Sequence, residues 1–147
     1  IDDCKKYDEI VFCGYGEPTL RLDIIKEVSK KIKEAGGKVR LNTNGHGNVI
    51  NKRNILPELK GLVDSISISL NADTAEAYDR IVRPLPGLRN EIYDKVKEFI
   101  EEAKKYIPEV QATIVTHQEG VDEEKCEEIS KNDFDVKYRP RRYNITG

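Results

Sequence analysis

The sequence predicts an α/β domain of the partial, open TIM-barrel type, in which parallel strands alternate with helices. Short apolar runs recur along the chain, amphipathic helical patterns separate them, and a polar or glycine-rich segment follows each run. The 147 residues suit one domain, whereas a complete eightfold barrel takes about 250 residues. We therefore expect a single domain over residues 1–147, with five parallel strands in an open arc.

The strands are predicted from short runs rich in Val and Ile. The first run, Glu-Ile-Val-Phe-Cys, has the composition of a strand that is buried on both faces, and the third alternates Ile with Ser. The predicted strands span residues 9–13, 38–41, 64–70, 110–115 and 134–138. The first strand is expected to have an unpaired edge, and such an edge tends to pair with a second copy or to aggregate.

The helices are predicted where apolar residues recur at intervals of three and four positions. Gly36 and Gly37 end the first helix, and Asp73 is the predicted N-cap of the third. The predicted helices span residues 20–35, 55–62, 73–81, 91–106 and 122–130. Because strands and helices alternate, the sheet should be parallel with right-handed crossovers.

Composition limits the partners that the protein could have. The net charge is −2 and the pI is about 5.8, so nothing global attracts the chain to nucleic acid or to an anionic membrane. No apolar run approaches the roughly 20 residues of a membrane span, and no signal-peptide pattern opens the chain. Three irregularly spaced cysteines, Cys4, Cys13 and Cys126, argue against a disulfide framework. We expect a cytoplasmic protein without a membrane partner.

A polar segment follows each predicted strand, and together these segments indicate one site. Ligands of parallel α/β folds bind at the carboxyl ends of the strands, although solvated loops are also polar. The segments at the opposite strand ends are short and rich in Lys, Asp and Glu. The carboxyl-end segments span residues 14–19, 42–48, 71–73, 116–119 and 139–144.

The segment after the first strand has the composition of an ammonium site. Gly14 and Gly16 allow a ligand to approach the backbone closely, and Pro18 favours an extended Glu17. Pro18 also lacks an N–H group, which leaves backbone carbonyls as surplus acceptors. A phosphate would instead need N–H groups at a helix N-terminus. The alternative for this segment taken alone is an ordinary Gly/Pro turn.

Three motifs in order give the chain a resemblance to a known family. Gly16-Glu17-Pro18, Thr43-Asn44-Gly45 and Ser67-Ile68-Ser69-Leu70-Asn71 follow or end successive strands, as in the radical S-adenosylmethionine (SAM) superfamily. The resemblance implies that the Gly-Glu-Pro turn holds the amino group of SAM through backbone carbonyls and the Glu. It also implies that Ser69 touches the methionine carboxylate or the ribose. The cofactor-binding residues that it predicts are Tyr15, Gly16, Glu17, Pro18, Thr43, Asn44, Ser69 and Asn71.

The resemblance also implies a cofactor whose ligands this chain lacks. The superfamily carries Cys-x3-Cys-x2-Cys for a [4Fe–4S] cluster, and no pair among the three cysteines has that spacing. The chain has no Met and begins at Ile1, which suggests that a first βα unit with the cluster ligands is missing; omitted modified methionines are the alternative. The whole protein would then be a radical SAM enzyme that cleaves SAM to a 5′-deoxyadenosyl radical, with an unknown substrate and no catalytic residue assigned.

Other functions stay open at this point. The motifs are most similar to the TatD-associated radical SAM proteins, from about Tyr7 to the end, which implies association with a TatD-type nuclease. A non-catalytic SAM-binding or scaffold module that acts through a partner is an alternative. Tyr15 gives the Gly-x-Gly-Glu-Pro form of RNA-methylating members, and a basic patch of Arg139, Arg141 and Arg142 keeps RNA modification open.

Four further residues are candidates with an ordinary structural explanation. Cys13, next to the Gly-Glu-Pro turn, is predicted to be a small buried hydrophobic residue, and Cys126 to be structural. His46 and His117 lie on strand-end loops, where a histidine is either solvated or a proton donor or substrate contact.

Overall fold

The structure, a computed structural model, describes residues 9–13, 17–82 and 91–141. Five parallel strands form one sheet, and each strand pairs with the next one along the chain. The strands are β1 Ile10–Phe12, β2 Val39–Thr43, β3 Ser65–Ser69, β4 Glu109–Val115 and β5 Lys137–Arg141. This confirms the predicted fold class, an open parallel sheet with the strand order of a partial TIM-type barrel.

Helices connect the strands and cover one face of the sheet. They are α1 Leu22–Glu34, α2 Gly47–Asn51, α3 Leu56–Leu59, α4 Ala75–Val82, α5 Ile92–Ala103 and α6 Glu123–Glu128. A 3₁₀ turn, Pro18–Arg21, precedes α1, and a π-helical turn, Ile129–Asp133, follows α6. None of the helices in the described ranges is long and apolar enough to cross a membrane.

The two faces of the sheet differ in chemistry because successive side chains of a strand point to opposite sides. On one face Leu41, Ile66 and Ala112 are fully buried in the core. The other face, which we call the open face, is polar and surrounds a cavity of about 190 Å³. The residues that line this cavity are Glu9, Val11, Arg40, Asn42, Ser67, Ser69, Gln111, Thr113, Arg139 and Arg141.

The first strand is less buried than predicted. Val11 is 39% exposed and Cys13 is exposed, because both alternate with Phe12 and therefore lie on the side of the open face. The predictions of a strand buried on both faces and of a buried Cys13 were wrong. Cys126, in contrast, is fully buried, as expected of a structural residue. Within the described ranges β1 pairs only with β2, and its pairing with a second copy stays a prediction.

Element boundaries differ from the prediction at three places. The strand predicted at 134–138 lies at Lys137–Arg141, because Phe134 closes the π-helical turn through its N–H to the carbonyl of Ile129 (3.1 Å). Thr74 rather than Asp73 caps α4, since the Thr74 hydroxyl accepts the N–H of Ala77 (3.1 Å). The helix α2 lies in a segment that was predicted as a polar loop.

Candidate functional site

The carboxylate of Glu17 joins the loop after β1 to the end of β2. Its Oε1 accepts the N–H of Asn44 (2.7 Å), and its Oε2 accepts the Thr43 hydroxyl (2.5 Å). Oε2 also accepts both the N–H of Thr19 (3.2 Å) and the Thr19 hydroxyl. We call these four residues, Glu17, Thr19, Thr43 and Asn44, the edge cluster. They hold the Gly-Glu-Pro and Thr-Asn-Gly motifs together at the carboxyl edge of the sheet.

These hydrogen bonds define what Glu17 can do. Oε2 accepts three hydrogen bonds and has no acceptor position left, whereas Oε1 accepts only the N–H of Asn44 and keeps one position open. The side chain therefore positions the two loops. Oε1 and the backbone carbonyls of the turn are the acceptors that a ligand ammonium group could use.

The Thr-Asn-Gly turn needs a glycine at its third position. Gly45 is buried and has φ of +83°, in the region that residues with a side chain rarely adopt. A Cβ atom on Gly45 would lie 3.1 Å from a methyl group of Ile68 and 3.1 Å from one of Val96. Its N–H donates to the hydroxyl of Thr43 (3.1 Å), which closes the turn onto the edge cluster.

An aromatic column runs from the end of β2 to the end of β3. The Nε2 atom of His46 lies 2.6 Å from the Tyr78 hydroxyl, the rings of Tyr78 and Tyr93 are 5.3 Å apart, and the Tyr93 hydroxyl donates to the carbonyl of Ala72 (2.9 Å). Burial lowers the pKa of His46, partly offset by the charge of Glu17, and burial raises the pKa of Tyr78. At neutral pH the imidazole of His46 is therefore neutral, and its tautomer decides which of the two groups donates.

The ends of β3 and β4 carry two residues in uncommon backbone conformations. Asn71 has φ of +64° and His117 has φ of +63°, values that are rare outside glycine. The N–H of Asn71 donates to the carbonyl of Thr113 (3.3 Å), and His117 is exposed. Backbone strain of this kind tends to occur at functional sites.

The floor of the open face is a hydrogen-bonded network with one acceptor left over. Arg40 donates to Glu9 (2.7 Å) and to the Ser67 hydroxyl (2.9 Å), and Gln111 also donates to that hydroxyl (2.6 Å). The Oδ1 atom of Asn42 is buried and has no hydrogen-bond partner among the described residues. A buried acceptor without a donor is costly, so this atom is positioned to accept from a ligand or a water.

The predicted cofactor residues fall into two groups. Glu17, Thr43 and Asn44 belong to the edge cluster, and Pro18 starts the 3₁₀ turn beside them. Ser69 lines the cavity of the open face, and Asn71 lies at the end of β3. Thr43 pairs with Ile68, so its side chain leaves the face of the sheet opposite to that of Ser69. Tyr15 and Gly16 are outside the described residues, and the convergence of Glu17 and Ser69 on one pocket stays a prediction.

Sequence reasoning missed several residues at this edge. Tyr78 and Tyr93 gave no signal, because each lies on the apolar stripe of an amphipathic helix and reads as an ordinary core residue. Asn42 and Arg139 were assigned to loops, and the structure places both on strands that face the cavity.

The residues present fit SAM but not an iron–sulfur cluster. The unpartnered acceptor of Asn42 complements an amine or hydroxyl, and the hydroxyl of Ser69 complements a ribose or a carboxylate. Cys13 is exposed and Cys126 is buried, and no group of three His, Cys, Asp or Glu residues within the described ranges could hold a metal ion. A [4Fe–4S] cluster would need thiolates from elsewhere.

The fold and the site define a class of partial α/β barrel with a ligand site at the carboxyl edge of its strands. The family model of the radical SAM superfamily matches residues 1–131, and the chain belongs to this superfamily. It is 33% identical over 125 residues to a protein of Methanocaldococcus jannaschii described as "Putative glycyl-radical enzyme activating enzyme". The match covers 84% of this chain and 49% of that protein, so the chain spans about half the length of this relative. No solved structure gives a significant match.

Proposed function

We propose that the whole protein is a radical SAM enzyme that binds SAM at the carboxyl edge of the sheet. Membership of the superfamily supports the class of reaction. The observation that carries the proposal is the edge cluster, because Glu17 fixes two family motifs against each other at the carboxyl ends of the strands. When bound and reductively cleaved, SAM supplies a 5′-deoxyadenosyl radical that abstracts hydrogen from a substrate.

The described residues would bind and orient rather than supply the chemistry. Glu17 positions the turn whose backbone carbonyls would accept the ammonium group of SAM. The Ser69 hydroxyl would contact the carboxylate or the ribose, and the Asn42 side-chain oxygen would accept from a ribose hydroxyl. Arg40 stays neutralised by Glu9 (2.7 Å) and holds the floor of the open face in place.

The test uses the full-length gene product, reconstituted with iron and sulfide without oxygen and then reduced. With SAM present we expect a bound cluster and the release of 5′-deoxyadenosine, measured by chromatography. Glu17→Ala should abolish the product, whereas Glu101→Ala, a change at an exposed helix position, should leave it unchanged. A reconstituted protein with neither a cluster nor 5′-deoxyadenosine would reject the proposal.

A second candidate is the activation of a glycyl-radical enzyme. The Methanocaldococcus jannaschii protein described as a glycyl-radical enzyme activating enzyme, 33% identical over 125 residues, favours this function. The substrate would then be a protein. Incubation of the active protein with a glycyl-radical enzyme from the same genome should give a glycyl-radical EPR signal that depends on SAM. The absence of this signal, with 5′-deoxyadenosine still formed, would point to a different substrate.

The more specific functions that the sequence suggests remain as secondary proposals. Association with a TatD-type nuclease predicts that the two proteins copurify, and a non-catalytic module predicts no Cys-x3-Cys-x2-Cys upstream in the gene. RNA modification predicts salt-sensitive RNA binding that is lost when Arg139, Arg141 and Arg142 are neutralised. A cytosolic location agrees with the free, exposed Cys13.

A further inference from the structure

We propose that the β5 side of the open face binds a small anion, a carboxylate or a phosphate, separately from SAM. Arg139 and Arg141 would be the residues that recognise it. This inference rests on the proposed function and narrows the unknown substrate to molecules that carry an anionic group.

Charge is unevenly distributed over the open face. Arg40 is neutralised by Glu9 (2.7 Å), and Glu109 lies at the start of β4, at the amino end of this face. Arg139 and Arg141 line the cavity at the carboxyl end, and neither forms an ion pair within the described part of the chain. The carboxyl half of the cavity is therefore positively charged and suits an anion.

The backbone of β5 presents both arginines on the same side. They are alternate residues of one strand, so their Cα atoms are about 6.6 Å apart and their side chains leave the same face. The carbonyl of Arg141 accepts the N–H of Thr116 (2.7 Å), which directs the backbone of Arg141 toward β4 and that of Pro140 toward the free edge. Pro140 fixes its own φ and lacks the N–H that a further strand would need. Pro140 thus fixes the backbone between the two cations.

The floor of the cavity offers a hydrogen-bond donor to an anion. The Ser67 oxygen accepts hydrogen bonds from Arg40 and Gln111, which leaves its own hydrogen free to donate. An anionic group would accept this hydrogen. The interior of a complete TIM barrel is instead packed with Val, Ile and Leu.

The anion site is displaced from the edge cluster. The edge cluster lies at the ends of β1 and β2, whereas Arg139 and Arg141 lie on β5, three strand spacings or about 14 Å from β2. A small molecule fits this site better than RNA, because the cavity has a volume of only about 190 Å³. The net charge of −2 gives the chain no overall attraction to nucleic acid.

The test measures binding of malate and of inorganic phosphate to the full-length gene product by titration calorimetry. In Arg139→Gln/Arg141→Gln we expect the tighter probe to bind at least about tenfold more weakly, and SAM to bind within about twofold of wild type. Arg139→Lys/Arg141→Lys should give an intermediate affinity, because it keeps the charges but loses the planar fork. The control Lys30→Gln/Lys125→Gln removes the same charge from exposed helix positions and should bind like wild type.

Several results would overturn the inference. Wild-type protein that binds neither probe, or a Gln double variant that binds both unchanged, would reject the anion site. A Gln double variant that loses SAM rather than the probes would show that the arginines serve the cofactor. If the Gln double variant weakens the binding of a short RNA more than the binding of malate or phosphate, the surface would be assigned to nucleic acid. Arginine-dependent probe binding without any SAM binding would retain the anion site and reject the proposed function.

Discussion

The edge cluster and the β5 side of the open face are both polar, but their side chains have different roles. In the edge cluster the carboxylate of Glu17 accepts hydrogen bonds from Thr19, Thr43 and Asn44, and Oε1 keeps one acceptor position open. On the open face Arg139 and Arg141 have no acidic partner in the described ranges. The hydrogen bonds of the edge cluster thus hold two loops together, whereas the two charges on the β5 side are available to a ligand.

The largest expected effect is that of Glu17→Ala. Removal of the carboxylate leaves the Thr43 hydroxyl and the Asn44 N–H without their acceptor, and hydrogen bonds to charged groups contribute about 1.5–3 kcal/mol each. We expect the free energy of unfolding to fall by about 3–4 kcal/mol, measured by urea denaturation. Glu17→Gln should lose less, and Glu101→Ala should stay close to wild type. A loss below about 1 kcal/mol for Glu17→Ala would mean that the cluster does not hold the edge together.

A somewhat smaller effect is expected of Gly45→Ala. The alanine would have to adopt φ of +83°, and its Cβ would crowd methyl groups of Ile68 and Val96 at 3.1 Å. Strain and crowding together should lower the free energy of unfolding by about 2–3 kcal/mol. Gly61→Ala is the matched control, because Gly61 has φ of +81° and no atom within 4 Å of the added Cβ. It should lose only about 1 kcal/mol, and equal losses for the two variants would rule out the packing contribution.

Tyr78→Phe should have a moderate effect at the aromatic column. The substitution removes the hydroxyl that lies 2.6 Å from Nε2 of His46 and keeps the buried ring. A loss of about 1 kcal/mol in the free energy of unfolding is expected. Tyr106→Phe is the control, since Tyr106 is half-buried and none of the side-chain hydrogen bonds of the described residues involves its hydroxyl. Equal melting temperatures of the two variants in thermal denaturation would contradict the prediction.

The smallest expected effect is the pH dependence that His46 contributes. Because its pKa is lower in the folded chain than the ordinary value of 6.5, the unfolded chain binds the proton more readily. The stability contribution is therefore present above pH 6.5 and is lost as the pH falls toward the folded pKa. Between pH 7.5 and 5.5 the wild type should lose more stability than His46→Gln in urea denaturation. A pKa of His46 above 6.5 by NMR titration would contradict the sign.

The sequence predicts more of the fold than of the candidate site. Strand and helix periods are local properties, and they gave five parallel strands in the right order. The fifth strand was predicted too early in the sequence, because the apolar Phe134 closes the π-helical turn and does not belong to a strand. The contact of Glu17 with Asn44 joins residues 27 positions apart, so no local pattern predicts it. Arg139 and Arg141 appeared in the sequence as a basic patch, but only the strand pairing shows which face they occupy.

The central claim is that SAM binds at the carboxyl edge beside the edge cluster, and an NMR titration of ¹⁵N-labelled protein with SAM tests it directly. We predict the largest amide shift changes at Asn44, Ser69 and Asn71. Residues of the outer groove between α2 and α5, such as Asn54 and Lys95, should change little. The largest changes in that groove, or no changes at saturating SAM, would contradict the account.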